Sequence, residues 1–417
     1  MPTNTVLKSP DSVELPLARW TTFTIGVLSN AFCGISATLL ASYLPDVLRD
    51  LVGEADPATL GRVGSYVGSV LLFGWAFGGV AFGWAGDHFG RSRAFTVAMA
   101  LFGFTMFATS WAPSWPVLVV YRFLTGAGIG GTMVVSAILV AEIWPARTRA
   151  IALGMLGVAF PIGIVSAGLL NYALPDWRGA FLIGMVPAGF AFFSFFAVRD
   201  PMTWTAARAL RPTAAGHFRH LMGPENRSNL LVGATVFGVM SVGLWAAFSW
   251  LPTWAQSIMP EGASGQKERG ILMMLLGTAG IIGTALSGFI SNAIGRKKTL
   301  VLAFAGSFIA SFILFTTNPD FSPIVFAETA LLALFFGLSQ GVLMVYIPEL
   351  FPTLVRSTGT GICFNVGRIV TATAVFFVGI LVPILGGYGN AVFAFAFMYV
   401  IGIFVAWFGP ETRGKEL

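Results

Sequence analysis

Twelve apolar runs, each about long enough to cross a bilayer, follow one another along this chain at roughly residues 20–44, 62–85, 94–112, 117–140, 150–173, 179–198, 228–254, 270–291, 299–317, 323–346, 357–383 and 389–409. A hydrocarbon core of about 30 Å takes about 20 apolar residues in helical form. Lipid offers no partner to a backbone N–H or C=O, so each run has to satisfy its own hydrogen bonds as a helix. The expected fold class is therefore an all-α membrane protein with twelve transmembrane helices. Composition points the same way: 56% of the 417 residues are hydrophobic and only 10% charged, where soluble domains carry about a quarter charged. The first run exceeds the roughly 7–15 apolar residues of a secretory signal core and lacks a convincing cleavage site, so it is expected to remain as the first span.

Polar segments set the organisation. The longest, Arg199 to Arg227, contains Pro201, Pro212, Pro224 and five arginines. It divides the chain into a tail at 1–19, a six-helix bundle at 20–198, a linker at 199–227, a second bundle at 228–409 and a tail at 410–417. Seventeen of the 24 Lys and Arg residues fall on the side of the termini, five fall on the other side, and Arg122 and Arg368 lie within spans. By the positive-inside rule both termini, the linker and the basic loops are cytoplasmic, in a multi-pass inner-membrane protein. The same rule accounts for the formal charge of +6 without a nucleic-acid partner. Cys33 and Cys363 both sit in apolar runs and read as small core residues.

The two bundles repeat one another. Gly86-Asp-His-Phe-Gly-Arg-Ser-Arg93, after the second run, is echoed by Ser291-Asn-Ala-Ile-Gly-Arg-Lys-Lys298 after the eighth, with Arg91 and Arg296 offset by 205. Glu142-Ile-Trp-Pro-Ala-Arg-Thr-Arg149, after the fourth, is echoed by Glu349-Leu-Phe-Pro-Thr-Leu-Val-Arg356 after the tenth, offset by 207. Two motifs at nearly one offset make the chain a duplicated six-helix unit, an organisation that places a transport site between the repeats. The loop charges read as gates: Asp87 can cap a neighbouring helix, Arg91 or Arg93 can pair with Glu142 or lipid phosphate, and Arg147, Arg149, Arg296, Glu349 and Arg356 occupy the related positions. Asn292 stands where Asp87 does in the first repeat, so the first-half latch is expected to be the stronger. Orientation in the membrane is the simpler role open to any one of these charges.

One charge is deep. Arg368 lies eleven residues after Ser357, roughly 16 Å in at helical rise and so near the bilayer centre. Ionisable groups at such depth are costly and are functional candidates by default. Gly361, Asn365, Arg368 and Ala372 share a helical face, and a guanidinium fork suits a carboxylate. The 207 offset puts Pro161 at the same depth in the first half, so the site is charged on one side only. Arg122 lies only roughly 7 Å inside the fourth run and can either contact substrate or anchor the helix. Glu328, at similarly shallow depth in the tenth run, reads as a counter-ion to an arginine or as a proton carrier. Gly126, Gly128, Gly130 and Gly131 lack the strand-turn-helix setting and lysine of a phosphate loop and read as close helix packing. No residue pattern suggests a cofactor, a metal or an enzymatic reaction.

At these residues the chain resembles the major facilitator superfamily over essentially its whole length. The loop Gly86 to Arg93 matches the superfamily's G-x-x-x-D/G-R-x-G/R-R/K signature in type, and Tyr121 to Gly131 looks like its fourth-span motif. Arg122 to Gly131, the Glu142/Pro145/Arg149 loop, Trp177-Arg178, Trp250-Leu-Pro252 and Glu349-Leu-Phe-Pro are similar to the sialate:proton and aromatic acid:proton symporters and to organic anion transporter relatives. The resemblance implies two pseudo-symmetric bundles and a cavity enclosed by spans 1, 4, 7 and 10 with 5 and 11, which makes Asn30, Trp245, Trp250, Gln340, Tyr346 and Phe364 candidate liners beside Asn365; a monomer is the expected state in the lipid. In the organic anion members an arginine matching Arg368 contributes to substrate binding. The acid symporters carry aspartates in span 1, where this chain has Ser29-Asn30-Ala-Phe-Cys33, and a glutamate after the span-4 glycines, where it has Thr132. The expectation is a transporter of a small organic anion, a mono- or dicarboxylate, by uniport or anion exchange in preference to proton symport. A neutral sugar or polyol porter, with Arg368 structural, and a non-transporting receptor are the alternatives.

Overall fold

The computed structural model describes residues 16–145, 148–200, 223–352 and 355–414. Twelve helices in it are long and apolar enough to span a membrane, and no strand occurs among the described residues. They are α1 (Pro16–Leu51), α2 (Pro57–Phe89), α3 (Arg91–Thr109), α4 (Trp115–Ile143), α5 (Arg149–Ala173), α6 (Trp177–Ala197), α7 (Pro224–Ser257), α8 (Gln266–Ile294), α9 (Arg296–Thr316), α10 (Ile324–Glu349), α11 (Arg356–Leu385) and α12 (Tyr388–Phe408). α6 is interrupted by one 3-10 turn at Leu182–Gly184. Several helices outrun their apolar stretches: α1 continues past Pro45 to Leu51, because a helix keeps its backbone bonds satisfied beyond the lipid as well as inside it.

Small residues bring the helices of each bundle together. A Cβ on Gly126 or Gly130 of α4 would collide with the carbonyls of Leu71 or Trp75 on α2, and one on Gly78 of α2 would meet the Ala127 carbonyl. The second bundle repeats this at the 207 offset: Gly337 of α10 lies against the Gly280 carbonyl of α8. In lipid the apolar effect does not drive helices together, so backbone approach of this kind supplies the packing.

The pseudo-symmetry extends to side-chain bonds at the end of the bundle that carries the termini. Arg91 pairs with Glu142 at 3.5 Å and Arg296 with Glu349 at 3.3 Å. Arg149 donates to the Trp144 carbonyl and Arg356 to the Phe351 carbonyl, each at 3.3 Å. Gly90 and Gly295, which link α2 to α3 and α8 to α9, have φ of 114° and 96°. Each also faces a carboxylate, Asp200 or Glu411, where a Cβ would sit; positive φ and lack of room both require glycine.

The two bundles meet chiefly toward the opposite, distal end. Gly61 of α2 and Gly379 of α11 touch backbone to backbone, and the Gly379 N–H donates to Ser65 Oγ at 2.9 Å. Gly168 of α5 lies against the Gly270 carbonyl of α8. Both seams run inward only about as far as the middle of the helices. The α5–α8 seam continues to Gly277 beside Pro161 and Val165, while beyond it Gly154, Gly157 and Gly288 have open space where a side chain would be. The molecule is closed distally and splayed at the end of the termini.

Candidate functional site: the cleft at Arg368

Arg368 stands where the α2–α11 seam gives way. On its distal side Val375 approaches Gly68 of α2, and Phe376 lies 5.5 Å from the Tyr66 ring; on its other side Gly361 faces open space. Arg368 is a half-buried residue, and its guanidinium lies over the Trp75 ring, 5.8 Å from the centroid. Among the described residues it has no carboxylate within ion-pair distance and no hydrogen-bond partner. A permanent cation in the middle of a spanning helix, with only an aromatic face for company, is set to take an anion from outside the protein. One turn away, Asn365 donates to the Gly361 carbonyl at 2.9 Å and keeps its buried side-chain oxygen without a partner, near Gly79 of α2.

Aromatic rings form the opposite wall. Trp75 lies 5.5 Å from Phe160 and edge-on to Trp245 at 5.6 Å, and Trp245 continues to Phe248 at 6.0 Å. The wall thus joins α2 and α5 of the first bundle to α7 of the second. Trp75 escaped the sequence reading because a tryptophan in a span is usually packing; its place four residues before Gly79, on the α2 face that meets α11, was the available signal.

Arg122 is on the distal side of this wall. It is 2% exposed. Its Nη1 donates to the Ser36 carbonyl at 3.0 Å, Nη2 reaches the Ala37 carbonyl at 3.5 Å, and Nε has no partner. With Trp245, Ser249 and residues of α1 and α2 it lines a cavity of about 30 Å³, room for about one water. The side chain therefore anchors α4 to α1 and faces a closed space, with no carboxylate beside it among the described residues.

The other candidates are dispersed. Asn30 donates to the Gly26 carbonyl at 2.8 Å and to Ser136 Oγ at 2.9 Å, joining α1 to α4. Trp250 is buried at the distal closure, stacked on Tyr388 at 5.6 Å and pressed against Gly64 of α2. Phe364 packs on Phe237, 4.6 Å away, within the second bundle. Gln340 is half-buried on α10. Tyr346 is turned away from the cleft: it is fully buried and its hydroxyl donates to the Pro410 carbonyl at 3.0 Å, pinning the chain after α12. Glu328 accepts from the Asn318 amide at 2.6 Å near the distal end of α10, and no arginine among the described residues lies within ion-pair distance.

Of the gate candidates, Arg91 bridges Asp87 at 2.5 Å and Glu142, and Arg93 is exposed. Asp87 stays within its own bundle. Arg296 also donates to Asn292 at 2.6 Å, and Thr412 donates to Glu349 at 2.5 Å. Arg147 lies outside the described residues. The sequence reading missed Asp200, which accepts from the Ser92 N–H at 2.8 Å, and Glu411, which accepts from the N–H groups of Arg296, Lys297, Thr412 and Arg413. Burial works to raise the Glu411 carboxyl, but these backbone donors outweigh it and hold it below its ordinary range. An acid beside a proline after the last span of each bundle, Asp200-Pro201 and Pro410-Glu411, was the signal that could have found both.

Two repeated bundles, a cleft between them that opens at one end, and a lone charge at its base are the construction of a membrane transporter that works by rocking one bundle against the other. The sequence profile of the Major Facilitator Superfamily matches residues 26–375, and the chain belongs to that superfamily; it is a transporter and not an enzyme. It is 32% identical over 362 residues to a probable 4-methylmuconolactone transporter of Cupriavidus pinatubonensis, covering 84% of this chain and 82% of the relative. It is 29% identical over 363 residues to the cis,cis-muconate transport protein of Acinetobacter baylyi, with 83% and 85% covered. Among solved structures, the inward-open xylose transporter XylE of Escherichia coli superposes with a TM-score of 0.78 at 17% identity, covering 95% of this chain and 98% of that one, a likeness of fold.

Proposed function

We propose that the protein carries a small organic anion, a mono- or dicarboxylate, across the inner membrane by alternating access, with Arg368 as its main ligand. The observation that carries this reading is the deep, unpaired guanidinium over Trp75. A carboxylate would take its fork in a charge-assisted pair, and Asn365 adds a free acceptor for a protonated or hydroxylated neighbour of that carboxylate. The Trp75, Phe160 and Trp245 rings suit a flat, unsaturated acid. The muconate carrier and the niacin transporter of the same Acinetobacter strain, 25% identical over 440 residues, support an unsaturated acid as cargo.

With the termini cytoplasmic, the splayed end faces inward and the conformation is inward-facing. Substrate charge neutralises Arg368, and its arrival or departure alters the cost of drying that arginine as the bundles close over it. Uniport or anion exchange fits better than proton symport, because Ser29, Asn30 and Thr132 stand where acid symporters hold carboxylates. In proteoliposomes loaded with unlabelled acid, labelled cis,cis-muconate, nicotinate or benzoate is expected to show saturable uptake. Arg368→Ala is expected to abolish it, and Arg368→Lys, which keeps the charge and loses the fork, to raise KM about tenfold or more. Uptake of a neutral sugar that survives Arg368→Ala, without anion flux, would assign the cleft to a neutral porter.

A further inference from the structure

A second arginine has its donors divided between the two bundles. Arg269, in the first turn of α8, is 1% exposed although it lies near the distal face. Its Nη1 bonds only within its own bundle, to Gln256 Oε1 and to the Ser264 carbonyl at 2.9 Å. Its Nε and Nη2 bond only across to α1 of the other bundle: Nε to the Ser42 carbonyl at 2.9 Å and Nη2 to Asp46 Oδ2 at 2.5 Å. Asp46 to Arg269 is the one ion pair among the described residues that joins the bundles. Gln266 on the same turn also crosses, donating to the carbonyls of Asn171 at 2.5 Å and Leu174 at 2.8 Å on the α5 side.

Parting the bundles at this end removes both the carbonyl and the carboxylate from Arg269 together and leaves its own-bundle bonds in place. The Nε/Nη2 edge, one of the forks through which a guanidinium takes a carboxylate with two parallel bonds, then faces the opened cleft. Gln256 and Ser264 still hold the plane of the group, so little ordering is needed when a ligand arrives. In the closed state that edge is held by the Ser42 carbonyl on Nε and by the Asp46 carboxylate on Nη2.

We infer that Arg269 is an outer capture site for the carboxylate of the transported anion, and that Asp46 is its built-in competitor, which takes the site back as the distal end closes. Substrate bound there competes with the Ser42 carbonyl for Nε and with Asp46 for Nη2 and so favours the distally open state; handing the anion on toward Arg368 frees the donors and permits closure. The inference rests on the carboxylate reading of the function. It adds a second, transient station about which the Arg368 experiments say nothing.

The test compares Arg269→Gln, Arg269→Lys and Asp46→Asn in right-side-out and inverted membrane vesicles, with labelled cis,cis-muconate, nicotinate and benzoate as probes. Capture predicts that Arg269→Gln and Arg269→Lys raise KM on the distal side by about tenfold or more, whereas KM on the other side shifts by a similar amount in these variants and in Asp46→Asn, because all three weaken the pair that holds the distal end closed. Asp46→Asn removes the competitor and is expected to leave distal KM unchanged or lower it. A mere latch would make the Arg269 and Asp46 variants behave alike, since both break the same pair, and that result overturns the inference. Size-exclusion profiles of the purified variants check folding, and Arg269→Lys keeps the test open if Arg269→Gln does not assemble. No saturable flux of any probe in the wild type would refute the carboxylate reading itself; normal flux with parallel variants would refute only the capture site.

Discussion

The two ends of the bundle handle their charges in opposite ways. At the distal end Arg269 reaches across to Asp46 and Ser42, and glycines of α2 and α5 lie against glycines of α11 and α8. At the end of the termini every described ion pair, Arg91 with Asp87 and Glu142, Arg296 with Glu349, stays within one bundle. Bonds within a bundle survive a rocking motion and stabilise the bundle; bonds between bundles exist in one state only and set the balance between states. The distal contacts are thus the conformational switch, and the motifs that repeat most visibly in the sequence are the braces of two rigid bodies.

The largest effect is expected from breaking the distal seam. A Cβ on Gly379 would collide with the Gly61 carbonyl and Ser65 Oγ, so Gly379→Leu should disfavour closure by about 3 kcal/mol, a shift of about 100-fold in the equilibrium. A cysteine placed at Ser249, which lines the small closed cavity, should become reactive to a membrane-impermeant maleimide from the distal side, and transport should fall steeply. Unchanged labelling would show that the glycine contact is not what closes this end.

Braces should respond in stability. Glu349 is 6% exposed and holds Arg296 and Thr412, whereas Glu142 is 24% exposed and leaves Arg91 with Asp87 as a second partner. Glu349→Ala should cost about 1–3 kcal/mol by removing the buried carboxylate shared by Arg296 and Thr412 and leaving Arg296 with the neutral acceptors Ser291 and Asn292 alone, and Glu142→Ala less than about 1 kcal/mol, read as thermal midpoints in one detergent. Equal losses would remove the distinction. This ordering reverses the expectation drawn from Asp87 against Asn292: the second bundle has the denser set of bonds, because Thr412 and Glu411 come in from beyond α12, a contribution that a comparison of the two loops alone omits.

The smallest effect concerns pH. The Glu411 carboxyl is held below its ordinary range, so its stabilising bonds to α9 are fully present above the unfolded value of about 4.3 and are lost as pH falls through the lower folded value. Glu411→Gln should lower the thermal midpoint at pH 7, and the gap to wild type should narrow on acidification below about pH 4. A gap that does not change with pH would show that the carboxylate's charge is not what holds the tail.

Much of this was legible in one dimension. Twelve spans follow from apolar length, since lipid permits only helices there, and the duplication follows from two motifs at one offset. Arg368 announced itself by depth, because a charge in hydrocarbon needs a reason. Arg269 did not: it lies at the edge of an apolar run, where it counted as one more loop charge, and Asp46 lies 223 residues away in the chain. Tyr346 and Trp250 looked like cavity liners, but helical periodicity gives a face without saying which neighbour that face meets.

The sequence by itself thus determined what is local or periodic: the spans, the repeat and one misplaced charge. The tertiary structure decided which end is closed, that Arg122 is bonded while Arg368 is free, and that Arg269 divides its donors between the bundles. The physical reason is that burial of a side chain in lipid can be read from its own neighbours in the chain, whereas the partner that satisfies it is chosen by how two separate bundles dock.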